Sequence, residues 1–226
     1  MATVLALFDF DGTLYQGRVW RTLVDYFRQR GERRGFLGRF SLTHWLQWYL
    51  TKLHLYDRER FVMDWMKDLA GIFSGLSQEQ VSQIFAWILE NDIAPNLNPR
   101  IVERIAQHRA QGHTTLLISG SYQQLLDPFA STYGFDAALG TPLEFLDGRA
   151  TGRIAMPVCM GPEKGRRLET WVRERGLEVD FEGSYAYVDS LFDVDLAGRV
   201  GHPIVVAPED QKMRTLALAR GWPLID

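Results

Sequence analysis

The sequence predicts an α/β fold, a doubly wound parallel sheet with a helical module inserted into it. Three observations carry that expectation. Short apolar or β-prone runs at residues 4–8, 114–119, 137–142, 185–189 and 203–207 have strand length. Helical patterns alternate with the later runs, notably at 164–175 and 191–200, and such alternation belongs to a parallel sheet covered on both faces. Residues 15–100 carry little strand signal but many Trp, Leu, Phe and Arg at helical spacing.

The first strand ends in Asp9-Phe10-Asp11-Gly12-Thr13. Strand side chains alternate, so Asp9 and Asp11 are expected to project together from the carboxyl end of a buried strand. In open parallel sheets ligands bind at that end. Like charges this close raise one of the two pKa values unless a cation lies between them. The pair therefore calls for a hard metal ion, or for one ionised and one protonated carboxyl. That is equipment for nucleophilic attack on a phosphoryl group followed by acid–base catalysis. The competing reading is an Asp-Gly turn with two solvated acids.

The inserted segment has its own punctuation. Ser77 and Gln80 form a capping-box pattern opening a helix over 80–91, and Asp57 opens another that runs toward Leu69. Pro95 and Pro99 close the segment, and a helix over 101–111 ends at Gly112. The expected division is 1–14 with 101–226 as the core domain and 15–100 as a helical cap.

Three later elements are individually ambiguous. Ser119-Gly120 at the end of the second strand can hold a phosphate oxygen through a hydroxyl and exposed amides, or can simply cap the next helix. Lys164 stands at the start of a helix, where the dipole disfavours a cation unless an anion lies nearby. Asp189 at the end of the fourth strand and Asp193 one helical turn on can share a cation with oxygen ligands, as magnesium prefers, or serve as cap and first-turn acid. Asp195 reads as a solvated helix residue.

The order and type of these elements resemble the four motifs of the haloacid dehalogenase-like phosphohydrolases, across essentially the whole chain. The insertion between the first two motifs resembles the C1 cap of the phosphoserine-phosphatase-like branch, and Asp147-Gly148-Arg149-Ala150-Thr151-Gly152-Arg153 resembles that branch's short β segment before the lysine. The resemblance implies a Rossmann-like core. It implies Asp9 as the nucleophile forming an aspartyl-phosphate, and Asp11 as the acid that protonates the leaving oxygen and then activates water. Mg²⁺ would be held by Asp9, the Asp11 backbone carbonyl, Asp189 and Asp193. Ser119, Gly120 and Lys164 would hold the phosphoryl oxygens. Two departures stand out. Val188 occupies a position where the family usually has Gly or Ser. Arg18 stands about where phosphoserine phosphatases carry a glutamate for the substrate ammonium; an arginine prefers carboxylate or phosphate, which counts against phosphoserine.

Bulk properties narrow the rest. The 226 residues are 46% hydrophobic and 23% charged, with a net charge of −3 that gives no reason to expect nucleic acid. A single cysteine, Cys159, excludes an intramolecular disulfide and fits a reducing compartment. The five histidines lack zinc-ligand spacing. With no signal-peptide pattern and no run of the ~20 apolar residues a span needs, a cytoplasmic protein acting on a small phosphorylated metabolite is expected. Alternatives are a phosphotransferase or phosphomutase on the same scaffold, or a phospho-aspartate signalling module. Residues 18–39 carry seven arginines against Asp25 and Glu32. They read as a solvated helix face or as a surface steering anionic substrate or lipid. Phe36, Phe40, Trp45, Trp48 and Tyr49 are expected in the cap core, the alternative being contact with an apolar substrate.

Overall fold

A computed structural model describes residues 2–208 and 210–226. Its centre is a six-stranded parallel sheet in the order β3-β2-β1-β6-β7-β8, formed by β1 (Thr3–Phe8), β2 (Thr114–Tyr122), β3 (Ala137–Thr141), β6 (Val179–Val188), β7 (His202–Val206) and β8 (Leu224–Ile225). The chain leaves β1 toward β2 and β3, then returns to β1's other edge as β6. The switch in direction therefore falls between β1 and β6, where an open sheet leaves a crevice at the carboxyl ends.

Alternation along β1 explains the two layers. Leu5 and Leu7 enter one buried cluster with Leu168 and Trp171 of α7 (Pro162–Glu174), Leu196 of the short α8 (Val194–Ala197) and Met213 of α9 (Gln211–Arg220). Ala6 and Phe8 enter the other, with Ile101 and Ile105 of α5 (Pro99–Ala110) and Leu125 and Phe129 of α6 (Gln123–Tyr133). Full burial of a Leu or Phe contributes about 1.5–3 kcal/mol, so this two-faced pattern fixes β1 at the centre of the sheet. Val188 is fully buried in the first cluster. It stiffens β6 from within and does not crowd the cleft. The expected helix over 191–200 is shorter than its pattern: a 3₁₀ turn covers Leu191–Asp193 and α8 stops at Ala197.

Between β1 and α5 lie α1 (Val19–Arg30), α2 (Arg34–Lys52), α3 (Arg58–Leu69) and α4 (Gln78–Ile88). The Ser77–Gln80 capping box forms as expected, with α4 beginning two residues earlier and running into a π-helical turn over Leu89–Ile93. A hairpin of β4 (Leu143–Leu146) and β5 (Arg149–Ile154) turns at Asp147-Gly148, both at positive φ. It is stitched to the inserted segment by Gly75 N–H to the Ala150 carbonyl and Ala150 N–H to the Leu76 carbonyl, each 2.8 Å. The two crossings between core and insertion lie side by side. Tyr15 bridges Leu97 antiparallel, Gln16 N–H donates to the Asn96 carbonyl (2.9 Å) and Asn98 N–H to the Leu14 carbonyl (2.8 Å).

One expectation fails in the insertion. Phe40 is buried and Phe36 packs against the core, but Trp45, Trp48 and Tyr49 point to solvent. On α2 the inward positions are Leu37, Phe40 and His44. The segment is apolar on more than one face, so helical spacing alone could not tell which side packs.

Candidate active site

The first motif does not continue the strand. After Phe8 the chain folds into a turn in which the Phe10 carbonyl accepts from the amides of Thr13, Leu14 and Tyr15 at 2.9–3.3 Å. Phe10 is fully buried. Asp9 and Asp11 therefore reach the cleft through this turn, and not through the pleat. Gly12 sits at φ +90°, and a Cβ there would lie 2.1 Å from both Arg18 Nη1 and Asp189 Oδ2. Only glycine fits, in conformation and in space.

Three distant segments converge on Asp9. Lys164, near the N-terminus of α7 and buried, donates from Nζ to Asp9 Oδ1 (2.5 Å) and to Asp193 Oδ1. Asp193 Oδ2 accepts from the Ser190 hydroxyl at 2.7 Å. Arg18 Nη2 meets Asp189 Oδ2 at 3.1 Å. One carboxylate oxygen each from Asp9, Asp189 and Asp193 lie within 4.8 Å of one another, and all three residues are buried. The helix-start lysine is thus explained by the anions facing it.

The electrostatics follow from burial. Desolvation, followed by repulsion from Asp193 and Asp11, outweighs the attraction of Lys164 and pushes the Asp9 carboxyl up to about 7. Burial, with Asp9 and Asp193 beside it, also raises Asp189 well above the usual carboxylate range. Lys164 is raised despite its burial, because two carboxylates hold its proton. A site that strains to keep its acids ionised has room for more positive charge.

That charge fits a hard divalent ion. Every donor in the cluster is a carboxylate oxygen, the ligand type of Mg²⁺. Octahedral Mg²⁺ at 2.0–2.1 Å sets its ligand oxygens about 2.9–4.2 Å apart, which small rotations of the three side chains can supply.

Asp11 faces elsewhere. Its Oδ1 accepts from Val19 N–H (2.6 Å), the first residue of α1, and its Oδ2 from the Ser121 hydroxyl (2.5 Å). The Asp11 carboxylate lies outside the acidic cluster, and burial raises its pKa. Ser119 and Gly120 end up buried at the same strand end. The Ser119 hydroxyl accepts from Ser121 N–H at 3.1 Å, while the Gly120 carbonyl accepts from the Thr141 hydroxyl at 2.7 Å. Ser121 is the residue that sequence reasoning missed. It repeats a hydroxyl two positions after Ser119, a spacing that returns to the same side of a strand. Asp195 pairs with Arg199 on the surface and stays outside the site.

A family model for the haloacid dehalogenase-like hydrolases matches residues 6–198. A probable phosphatase of Mycobacterium tuberculosis H37Rv is 30% identical over 164 residues, 72% of this chain and 56% of that one. The chain thus spans about half the length of the first relatives it matches. The histidinol-phosphatase of Neisseria meningitidis serogroup C is 26% identical, with 98% of each chain covered. A solved protein of unknown function from Bordetella pertussis Tohama I superposes with a TM-score of 0.83 at 26% identity, covering 100% of this chain and 99% of that one. A phosphoserine phosphatase solved as a phospho-aspartyl intermediate analogue shares the fold at a TM-score of 0.63 and 18% identity, covering 100% and 93% of the two chains. No helix among the described residues is long and apolar enough to cross a membrane. With its four motifs drawn to one crevice and the family model running from β1 to the end of α8, the chain belongs to the haloacid dehalogenase-like hydrolases and has the fold of their phosphoserine-phosphatase branch.

Proposed function

We propose that the protein is a Mg²⁺-dependent phosphomonoesterase that works through an aspartyl-phosphate on Asp9. The observation that carries the reading is the contrast between the two motif acids. Asp9 is held by a buried lysine beside an acidic cluster, and Asp11 stands apart with a raised pKa.

In the first step an Asp9 Oδ attacks phosphorus, the ester P–O bond breaks, and Asp11 gives its proton to the departing alcohol oxygen. In the second, Asp11 takes a proton from water as that water attacks phosphorus. The bond to Asp9 then breaks and inorganic phosphate leaves. A carboxyl whose pKa burial raises suits the first role, and the ordering of both its oxygens by Val19 and Ser121 suits the second. Lys164 offsets part of the desolvation of Asp9 and, with Ser119 and the Gly120 backbone, would receive phosphoryl oxygens. Mg²⁺ held by Asp9, Asp189, Asp193 and the Asp11 carbonyl would neutralise the charge of the phosphoryl group. Phosphoryl transfer needs little beyond such positioning and charge stabilisation.

Arg18 bears on the substrate. Its guanidinium borders the site against Asp189 and repels an ammonium group. Both of the named activities among the relatives, phosphoserine and histidinol phosphate hydrolysis, involve substrates that carry an ammonium. We therefore expect a small phosphate monoester whose far end is anionic or neutral. Residues 15–100 would act as the substrate-selecting cap over the core.

The test is phosphate release over a panel of phosphorylated metabolites with Mg²⁺, using Asp9→Asn as the control. Turnover of at least one ester, abolished in the variant, is the expected result. A folded protein inert to every ester would overturn the proposal. Efficient phosphoserine turnover would remove the role given to Arg18. Product analysis with acceptor alcohols separates hydrolysis from transfer, and a stable Asp9 adduct without phosphate release would favour a signalling module.

A further inference from the structure

We propose that the outer face of α2 is a docking surface for an anionic lipid bilayer. α2 packs inward through Leu37, Phe40 and His44, with Phe40 and His44 against Trp65 of α3. Its opposite side presents Leu42, Trp45, Leu46 and Tyr49 to water, Trp48 is exposed one turn beyond His44, and Leu53 and Leu55 extend the exposure beyond the helix. Leu42 is 70% exposed, Trp45 60% and Leu55 71%. The Trp45 and Tyr49 rings stack on each other at 6.1 Å, and Lys52 lies over Trp48. Isolated exposed leucines are ordinary, but a contiguous run of leucine, tryptophan and tyrosine along one helix marks an interaction site.

Charge selects the occupant. Residues 33–56 contain Arg33, Arg34, Arg39 and Lys52 and no Asp or Glu. The chain as a whole is acidic, with a net charge of −3, so the basic character is local to this helix and the arginines before it. A second copy of this chain is a poor fit. A twofold interface pairs a patch with itself, and here that would bring cation against cation with no carboxylate in the segment to relieve it. A bilayer fits both features: leucine and tryptophan enter the headgroup boundary, aromatic rings are favoured at that depth, and arginine and lysine meet lipid phosphates. The apolar side chains protrude from a convex helix, which suits a soft planar surface.

The surface stands independently of the phosphatase reading, because none of its residues contacts the acidic cluster. It is tested with the full chain and vesicles of phosphatidylcholine containing about a third phosphatidylglycerol, by co-sedimentation and tryptophan fluorescence. Binding at low salt, a blue-shifted emission and weakening as salt rises are expected. Vesicles of phosphatidylcholine alone should bind at least about tenfold more weakly. The double substitution Trp45→Ser and Leu46→Ser should abolish the shift. Arg34→Glu with Arg39→Glu should cut partitioning by roughly fivefold or more per residue. All of these positions are exposed, so unchanged circular dichroism and unchanged hydrolysis of a soluble ester check that the variants fold. Absence of binding to anionic vesicles at low salt overturns the proposal, as does binding that the Trp45/Leu46 variant retains. A dimer that the same substitutions dissolve, without vesicle binding, would assign the face to a second copy instead.

Discussion

Adding Mg²⁺ to metal-free protein should raise its melting temperature strongly, and the size of the effect follows from the site. Three clustered carboxylates, Asp9, Asp189 and Asp193, face two cations, Lys164 and Arg18. When all are ionised the cluster carries one uncompensated negative charge, which favours binding of a cation. At an Mg²⁺ concentration a hundred times its dissociation constant, native-state binding contributes about 2.7 kcal/mol. For a chain of this length each kcal/mol moves the midpoint by about 2–4 °C, so a rise of roughly 5–11 °C is expected. The sign with pH is also set. The Asp9 carboxyl is raised to about 7, so below that pH the ion must displace a proton, and its apparent affinity climbs between pH 6 and 8. Differential scanning calorimetry across Mg²⁺ concentration and pH measures both, with Asp189→Asn as the variant that should lose most of the rise. A midpoint that stays within about 1 °C up to 10 mM Mg²⁺ at pH 8 would refute the reasoning, whatever the activity.

Three further outcomes are expected. Asp9→Asn should abolish turnover while leaving the far-ultraviolet circular dichroism unchanged; retained hydrolysis would remove the nucleophile. Ser121→Ala deletes the hydroxyl that lowers the Asp11 pKa, so the pKa of that acid in the pH–rate profile should move upward, with a loss of about fivefold or more in kcat for one hydrogen bond of roughly 1 kcal/mol; an unmoved profile would show that Ser121 does not orient the acid. His108 is buried, paired with His113 and the Tyr187 hydroxyl at 2.9 Å each, and burial lowers its pKa to about 4. Its folded value lies below the usual 6.5, so its contribution is complete above pH 6.5 and lost as pH falls toward 4, by up to about 3 kcal/mol. Urea midpoints at pH 7 and 4.5 should therefore diverge less in His108→Gln than in the parent chain, and equal divergence would exclude the histidine as the source.

The sheet and the acid cluster were legible because each leaves a local mark. Strand-length apolar runs, an Asp-Phe-Asp-Gly-Thr turn and an otherwise unfavourable lysine at a helix start are all visible in one dimension. Ser121 was hidden because a hydroxyl in Ser-Gly-Ser reads equally as a helix cap, and only the approach of β1 to β2 gives it Asp11 as a partner. Alternation predicted that Asp9 and Asp11 project together, but the strand ends at Phe8 and the turn sends Asp9 to Lys164 and Asp11 to Ser121. Trp45, Trp48 and Tyr49 were misassigned for a physical reason. Ring-rich helices are usually buried, and periodicity cannot register that no element among the described residues covers the side of α2 carrying Trp45 and Tyr49. Val188 was resolved only by seeing that its side chain belongs to the layer beneath the sheet.

The paired crossings at Leu14–Gln16 and Asn96–Asn98 carry a consequence for catalysis. Two chain segments zipped together join the insertion to the core as one ribbon, and the β4–β5 hairpin ties it down a second time. Tyr15 and Thr22 both donate to Asp92, tying that ribbon to α1. α1 also supplies the amide that steadies Asp11. A shift of α1 would therefore withdraw the Val19 amide from Asp11. In the proposed reaction the ordering of this acid would thus depend on where the insertion sits.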